Sequence, residues 1–417
     1  MIKLKRKKRF MFNLKDYINS KKNARKNRQT YKTTYTTGRL TERIIQHRLR
    51  IFMRTVIIII AVSAVVLATV VSLKNRTYSG YEIVDTVERK EVLDAACMEY
   101  NGNILTYSRD GVSCTNTDGV VLWNQTFEMQ SPIMDMEGDK VAFGDYNGSV
   151  IYVMDANGPV GQIDTMMPIR NFCISSSGVV AAVLDEGNVT WIYLFDAKGN
   201  TIAYFKTTMK KSGYPVSIAI SPNGLMVQVS YLYVESGYMR SSVAFYNFGP
   251  VGQNEIDNFV GGYDYTDTIV PFVRFLDDRT AFAVGDSRLM MYEGAQIPTS
   301  SWENLLTEEI QKIYYSENYI ALVYYDVTGE TTYRMDIYGR DGKIVDTVKF
   351  NIEYTDIKFQ KDKVIIYDEM ECLIHYVGGA DIFSAQFEKG VLAVIPTSAF
   401  NRYVLVTADS IDTIELK

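Results

Sequence analysis

Residues 140–165 read KVAFGDYNGSVIYVMDANGPVGQIDT. Short apolar stretches alternate here with polar turns carrying Asn147-Gly148 and Asn157-Gly158. Such pairs accept the positive φ that tight hairpin turns require, so the segment reads as three antiparallel strands joined by two hairpins. The plan recurs as ILTYSRDGVSCTNTDGVVLWNQTF from Ile104, VVAAVLDEGNVTWIYLFDAKGNTIAYFKT from Val179 and YIALVYYDVTGETTYRMDIYGRDGKIVDTVKF from Tyr319. Less regular copies start at Leu225, Thr280, Lys363 and Tyr403.

Measured between the apolar strands at 104, 140, 179, 225, 281, 320, 363 and 403, the repeat spacing averages about 43 residues, the size of one propeller blade. The spacing predicts an all-β fold, an antiparallel β-propeller of eight blades, with seven the alternative. Helical periodicity is nearly absent from it, 303–312 being the one short candidate. The last unit, from Tyr403 to Lys417, supplies too few strands for a blade. Residues 81–89 are the expected donor of the missing strand, a closure that removes free sheet edges.

Outward from the repeat, the chain changes character. Residues 1–54 carry 18 Lys or Arg against Asp16 and Glu42, a net +16, whereas the remaining 363 residues sum to −21. The boundary is an uncharged run of 19 residues from Thr55 to Leu73, of which 12 are Val, Ile or Leu. As a helix the run is about 30 Å long, the thickness of a hydrocarbon core. It is longer than a signal-peptide core and lies behind too long a leader for one.

Arg43, Arg48, Arg50 and Arg54 crowd its N-terminal flank, against Lys74 and Arg76 on the other. The positive-inside rule then sets 1–54 as a cytoplasmic tail, 55–73 as a transmembrane helix and 74–417 as an extracytoplasmic propeller. The tail, with its Lys3 to Arg9 cluster, is expected to lack stable structure. It acts as a topology determinant or an anionic-lipid contact, with nucleic acid the weaker reading. Residues 40–53 suit a basic amphipathic helix on the inner leaflet.

The phrases TNTDGVVLW at Thr115, FDAKGNTIAYF at Phe195 and YGRDGKIVDTVKF at Tyr338 resemble the blade endings of propellers related to quinoprotein dehydrogenases and WD40 proteins. The whole chain resembles a family of membrane-anchored bacterial proteins with such an ectodomain. The resemblance implies a fold and not an activity. With Trp only at 123, 191 and 302, the chain departs from the docking motifs of the quinone-binding enzymes, and the WD40 signatures are missing too.

Little in the sequence speaks for catalysis. The ectodomain has one histidine, His375, read as a packed residue, and no HExxH, CxxC, GxSxG or P-loop spacing. Cys97, Cys114, Cys173 and Cys372 fall in expected strands of separate blades, or two strands apart in one, so no disulfide is expected. Asp135, Glu137 and Asp139, or Asp277 and Asp278, are read as solvated turns rather than acid/base pairs. Asp145 to Ser149 lacks the bidentate Glu of a calcium loop. No catalytic residue, metal or cofactor is assigned.

The candidate binding element is Gly261 to Asp267 with Tyr263, Asp264, Tyr265 and Asp267, read as a loop in the longest repeat spacing, beside Tyr231, Tyr233 and Tyr238. Long connections on a rigid scaffold carry binding, and tyrosine offers contact area at low entropic cost. The expectation is a non-catalytic binding or scaffold module for a protein, an envelope polymer or a small ligand. The rival is a carboxylate-based hydrolase or lyase, or a degenerate quinoprotein.

Overall fold

The computed structural model describes residues 37–74, 76–90, 95–187, 189–207 and 212–417. The chain divides into two compact units between Leu73 and Lys74. Residues Thr37–Lys74 form one helix, α1, which lies in the first unit up to Leu73 and contains both expected span limits, Thr55 and Leu73. Among the described residues it is the one helix long and apolar enough to cross a membrane, through its stretch His47–Val66, no part of which is buried. Two hydroxyls in the run are satisfied locally. Thr55 Oγ1 donates to the Phe52 carbonyl at 2.8 Å, and Thr69 Oγ1 lies 2.8 Å from the Val66 carbonyl. The basic segment 1–36 lies outside the described residues.

In the second unit, the described residues form thirty-two strands in eight four-stranded antiparallel sheets. Blade 1 spans 96–126, blade 2 132–164, blade 3 169–207, blade 4 214–265, blade 5 272–305, blade 6 312–350 and blade 7 356–386. Blade 8 joins 391–416 to strand Tyr81–Glu88. The fold is an eight-bladed β-propeller.

The strands that set the repeat spacing in the sequence are the second of each blade, not the first. Second strands such as Lys140–Asp145 and Val180–Glu186 have both faces buried and so read as continuous apolar runs. Outer strands such as Thr201–Thr207 are exposed on one face and alternate. The Asn101-Gly102 hairpin has positive φ at both residues, 51° and 74°, as a type I′ turn requires.

Closure follows the expected route. Strand Tyr81–Glu88 pairs antiparallel with Ser410–Leu416, from Tyr81 opposite Leu416 to Glu88 opposite Ser410, with a bulge between Ile83 and Asp85. Val87 packs against a core of Ile104, Val404 and Ile411, so the first strand of the second unit holds the last blade to the first.

The helical expectation for 303–312 is corrected: Thr299–Leu305 is the outer strand of blade 5, and Lys312–Tyr315 opens blade 6. Trp302 and Asn304, two residues apart, both reach the blade 6 turn, through Trp302 Nε1 to the Arg340 carbonyl at 2.8 Å and Asn304 Nδ2 to the Gly342 carbonyl at 2.6 Å. That period-2 demand overrides a short helical pattern. A Cβ on Gly342, where φ is +76°, would sit 2.7 Å from the Trp302 ring, so this turn needs glycine.

Candidate functional site

The inner strands bring charge to the ring axis. Arg274 stands alone among apolar neighbours in Phe272–Asp277, the inner strand of blade 5. Its Nη1 donates to Asp135 at 2.7 Å, and its Nη2 donates to the Met136 carbonyl at 3.0 Å and to Glu137 at 3.3 Å. These acceptors lie on Pro132–Glu137, the inner strand of blade 2, three blades away. The guanidinium also lies 5.5 Å from the centre of the Tyr315 ring of blade 6, and the second Asp135 oxygen accepts the Ile174 N–H of blade 3 at 2.8 Å. Arg274 and Asp135 together thus tie four blades.

Burial acts to lower the Arg274 pKa, but Asp135, Tyr315 and Glu137 together raise it above its ordinary value, so it stays charged. Burial raises the Glu137 carboxyl above the usual carboxylate range despite Arg274 beside it. A second axial pair is looser. Lys358 Nζ is 3.8 Å from Asp356 and has no hydrogen-bond partner. Burial lowers the lysine and raises the aspartate.

The other carboxylates singled out in the sequence brace turns. Asp139 pairs with Lys140 at 2.9 Å, Asp277 with Arg340 at 2.6 Å, and Asp278 accepts the Asn223 N–H at 2.8 Å. Asp145 accepts the Gln130 and Ser131 N–H groups. His375 is buried between blades 6 and 7, with Nδ1 2.7 Å from Asp381 and Nε2 2.7 Å from Asp346. All four cysteines are free thiols, Cys97 and Cys114 lying on the first and third strands of blade 1. Among the described residues no cluster of His, Cys, Asp and Glu is arranged to hold a metal ion.

The candidate element Gly261 to Asp267 is corrected from loop to strand. Phe259–Tyr265 is the outer strand of blade 4, paired with Tyr238–Asn247. A register shift opposite Phe245 and Tyr246 admits the glycine pair without ending the strand. Alternation then divides the four residues. Tyr263 and Tyr265 turn to blade 5, Tyr263 Oη donating to the Pro298 carbonyl at 3.1 Å and Tyr265 Oη lying 2.8 Å from Tyr292 Oη. Asp267, just beyond the strand, pairs with Arg288 at 2.7 Å. Asp264 faces the other way.

On that side lies a cleft of ≈ 420 Å³ between blades 3 and 4, lined by Tyr231, Tyr233, Phe259, Asp257 and Asp264 among others. Two strands build its wall, Met226–Glu235 and Tyr238–Asn247, of ten residues each against four to eight in every other described strand. Two 3₁₀ turns follow, Gly252–Asn254 and Ile256–Asn258, and the second gives Ile256 and Asp257 to the lining. The long repeat spacing is therefore a raised hairpin and a folded connection. Two further clefts open between blades, of ≈ 600 Å³ at the seam of blades 8 and 1 and ≈ 480 Å³ at blades 6 and 7.

In fold the chain is similar to Sqt1 from Chaetomium thermophilum, at 12% identity and a TM-score of 0.52 over 81% of this chain and 100% of that one. It is similar to the same protein bound to the N-terminus of the ribosomal protein L10, at 12% identity and a TM-score of 0.51 over 82% and 100%. BamB from Moraxella catarrhalis matches at 12% identity and a TM-score of 0.46 over 81% and 100%. At such identities these likenesses show the fold alone. No curated protein matches the chain in sequence. The model of the family of unknown function DUF5711 matches residues 74–416, and the chain belongs to that family.

Proposed function

We propose that the protein is a single-pass membrane protein, with its N-terminal tail in the cytoplasm and its propeller on the far side, and that the propeller is a binding module without catalytic activity. The anchoring reading rests on the uncharged run within α1 and on the change of net charge from +16 to −21 across it. The lipid bilayer is then one partner, through that helix, and the basic tail is placed to meet anionic headgroups.

The binding reading rests on one observation, the Arg274 staple. Catalytic acids in a propeller would converge at the axis, yet here Asp135 and Glu137 are held by Arg274 from the opposite wall. A carboxylate bonded to a guanidinium is a poor general base, and its neighbour is held in place by the same cation. Three concavities open between blades. A protein segment is the partner this reading favours, and Sqt1 bound to the L10 N-terminus is a propeller of similar fold that carries one.

Two measurements test the proposal. A Met166→Cys variant places a thiol at a residue 86% exposed; labelling by a membrane-impermeant maleimide in intact cells is expected, and labelling only after lysis overturns the topology. Affinity capture of the full chain from cross-linked membranes is expected to return a reproducible protein partner, retained by Glu137→Gln at the axis. Loss of the partner in that variant would return the function to the channel.

A further inference from the structure

We propose that the cleft between blades 3 and 4 is a binding site for a guanidinium group on an apolar stem, the arginine side chain of an extended peptide segment. The inference rests on the binding-module reading and assigns it a site and a ligand chemistry.

The argument begins with what the cleft leaves unused. Asp135, Glu137, Asp139, Asp267 and Asp277 are consumed by cations, and Asp145 and Asp278 by backbone N–H groups. Asp257 and Asp264 line the cleft and, among the described residues, neither side-chain carboxylate takes part in a hydrogen bond or an ion pair. They stand on two separate pieces of blade 4, the 3₁₀ turn Ile256–Asn258 and the outer strand Phe259–Tyr265. Asp257 is held at φ 55°, in the left-handed region that costs a non-glycine residue.

With these carboxylates, aromatic side chains line the same cleft. Phe205 and Tyr246 lie 4.3 Å apart between ring centres, and Phe259 meets Tyr246 edge-on at 5.9 Å. Tyr246 is anchored by a hydroxyl contact of 2.9 Å with Tyr231. Phe259 is 45% exposed and can be reached by a ligand. A planar cation matches both features, because a guanidinium stacks on aromatic faces while its N–H fork bonds carboxylates. An ammonium satisfies the charge but not the stacking. The ectodomain's net charge of −21, counted with the uncharged span, draws cations towards the surface at long range.

Among the described residues, Lys206 is the opposing charge at the cleft. It is exposed on the outer strand of blade 3 and has no carboxylate partner among the described residues. Its presence sets a sign that a sugar site would not share: removing Lys206 strengthens cation binding, and removing Asp264 weakens it.

The test uses the full chain in non-ionic detergent, titrated with argininamide, with citrullinamide, whose side chain is uncharged, and with the uncharged trisaccharide maltotriose, binding being followed by calorimetry. Saturable binding of argininamide is expected, with citrullinamide at least about tenfold weaker, one lost charge-assisted contact being worth about that factor. Asp257→Asn and Asp264→Asn are each expected to weaken it about threefold to tenfold, and Lys206→Met to tighten it; both aspartates are exposed, and an unchanged thermal midpoint separates lost binding from lost folding. Argininamide binding that ignores both aspartates, no saturable binding at all, or a preference for maltotriose each overturns the proposal. Partner capture retained by the Asp257→Asn, Asp264→Asn double variant removes this site and leaves the binding-module reading in place.

Discussion

Arg274 of blade 5 and Asp135 of blade 2 meet at 2.7 Å across the axis of the ring, 139 residues apart in sequence. Neither blade touches the other through its sheet, so this contact couples parts of the ring that neighbour packing leaves independent. Replacing Arg274 by Met keeps the length of the stem and strands two largely buried carboxylates. Breaking one partner of such a buried pair costs about 3–5 kcal/mol. Chemical denaturation of Arg274→Met is expected to show a loss of that size, and Asp135→Asn in the same chain to recover part of it. Equal loss in the single and double variants would mean that the stem, not the charge, holds the axis.

Glu137 gives the same site a pH dependence. Its folded-state carboxyl titrates above its ordinary value, burial being the larger cause and Arg274 the smaller, opposing one. A raised value means that the stability it contributes is present below the unfolded carboxyl value, roughly pH 4, and is lost as pH rises through the folded value. Glu137→Gln removes that loss. Relative to the parent chain, Glu137→Gln is therefore expected to gain stability as pH is raised from about 4 to 7. A relative loss over the same range would show that the Arg274 contact outweighs burial.

The repeat, the blade number and the closing strand are legible in the sequence because each is a local pattern: turn residues, apolar runs and a count. The contact between Arg274 and Asp135 is not, since only ring closure brings blades 2 and 5 face to face. Its one trace is an arginine in the middle of FVRFLD. Gly261-Gly262 reads as a loop because paired glycines usually mark turns. Here the pair follows a register shift instead, and a Cβ on Gly262 would lie 3.1 Å from the Phe259 ring. The period-2 rule separates Asp264 from Tyr263 and Tyr265, but which face opens on a cleft depends on the packing of blades 3 and 4.

His375 is the packed residue that the sequence suggests, with a role beyond filling space. Its two ring nitrogens join Asp346 on the outer strand of blade 6 to Asp381 on the outer strand of blade 7, and Asp346 also accepts the Gly378 N–H at 2.6 Å. Phenylalanine fills the volume and satisfies neither carboxylate. Leaving such groups unpaired costs about 1–3 kcal/mol each, less for Asp381, which solvent reaches. His375→Phe is expected to lower the unfolding midpoint, and Asp346→Asn to do so by more than Asp381→Asn. The reverse order would place the weight of the contact at the surface.

The seam between blades 8 and 1 is where the ring can open. Strand Tyr81–Glu88 supplies the outer strand of blade 8, while Tyr78 donates its N–H to the Ile382 carbonyl of blade 7 at 2.7 Å. Without that strand, Ser410–Leu416 becomes a free edge, and the side of Ile411 that packs with Val87 and Ile104 meets water. Burial of one such aliphatic side chain is worth about 1.5–3 kcal/mol, and an unpaired apolar edge recruits other chains. A fragment of residues 74–417 is expected to unfold in one cooperative transition as a monomer. A fragment of residues 90–417 is expected to melt at a lower temperature and to self-associate, and a synthetic peptide of residues 76–90 to reverse both effects. Identical melting of the two fragments would show that blade 8 stands on three strands and that the N-terminal strand is dispensable for closure.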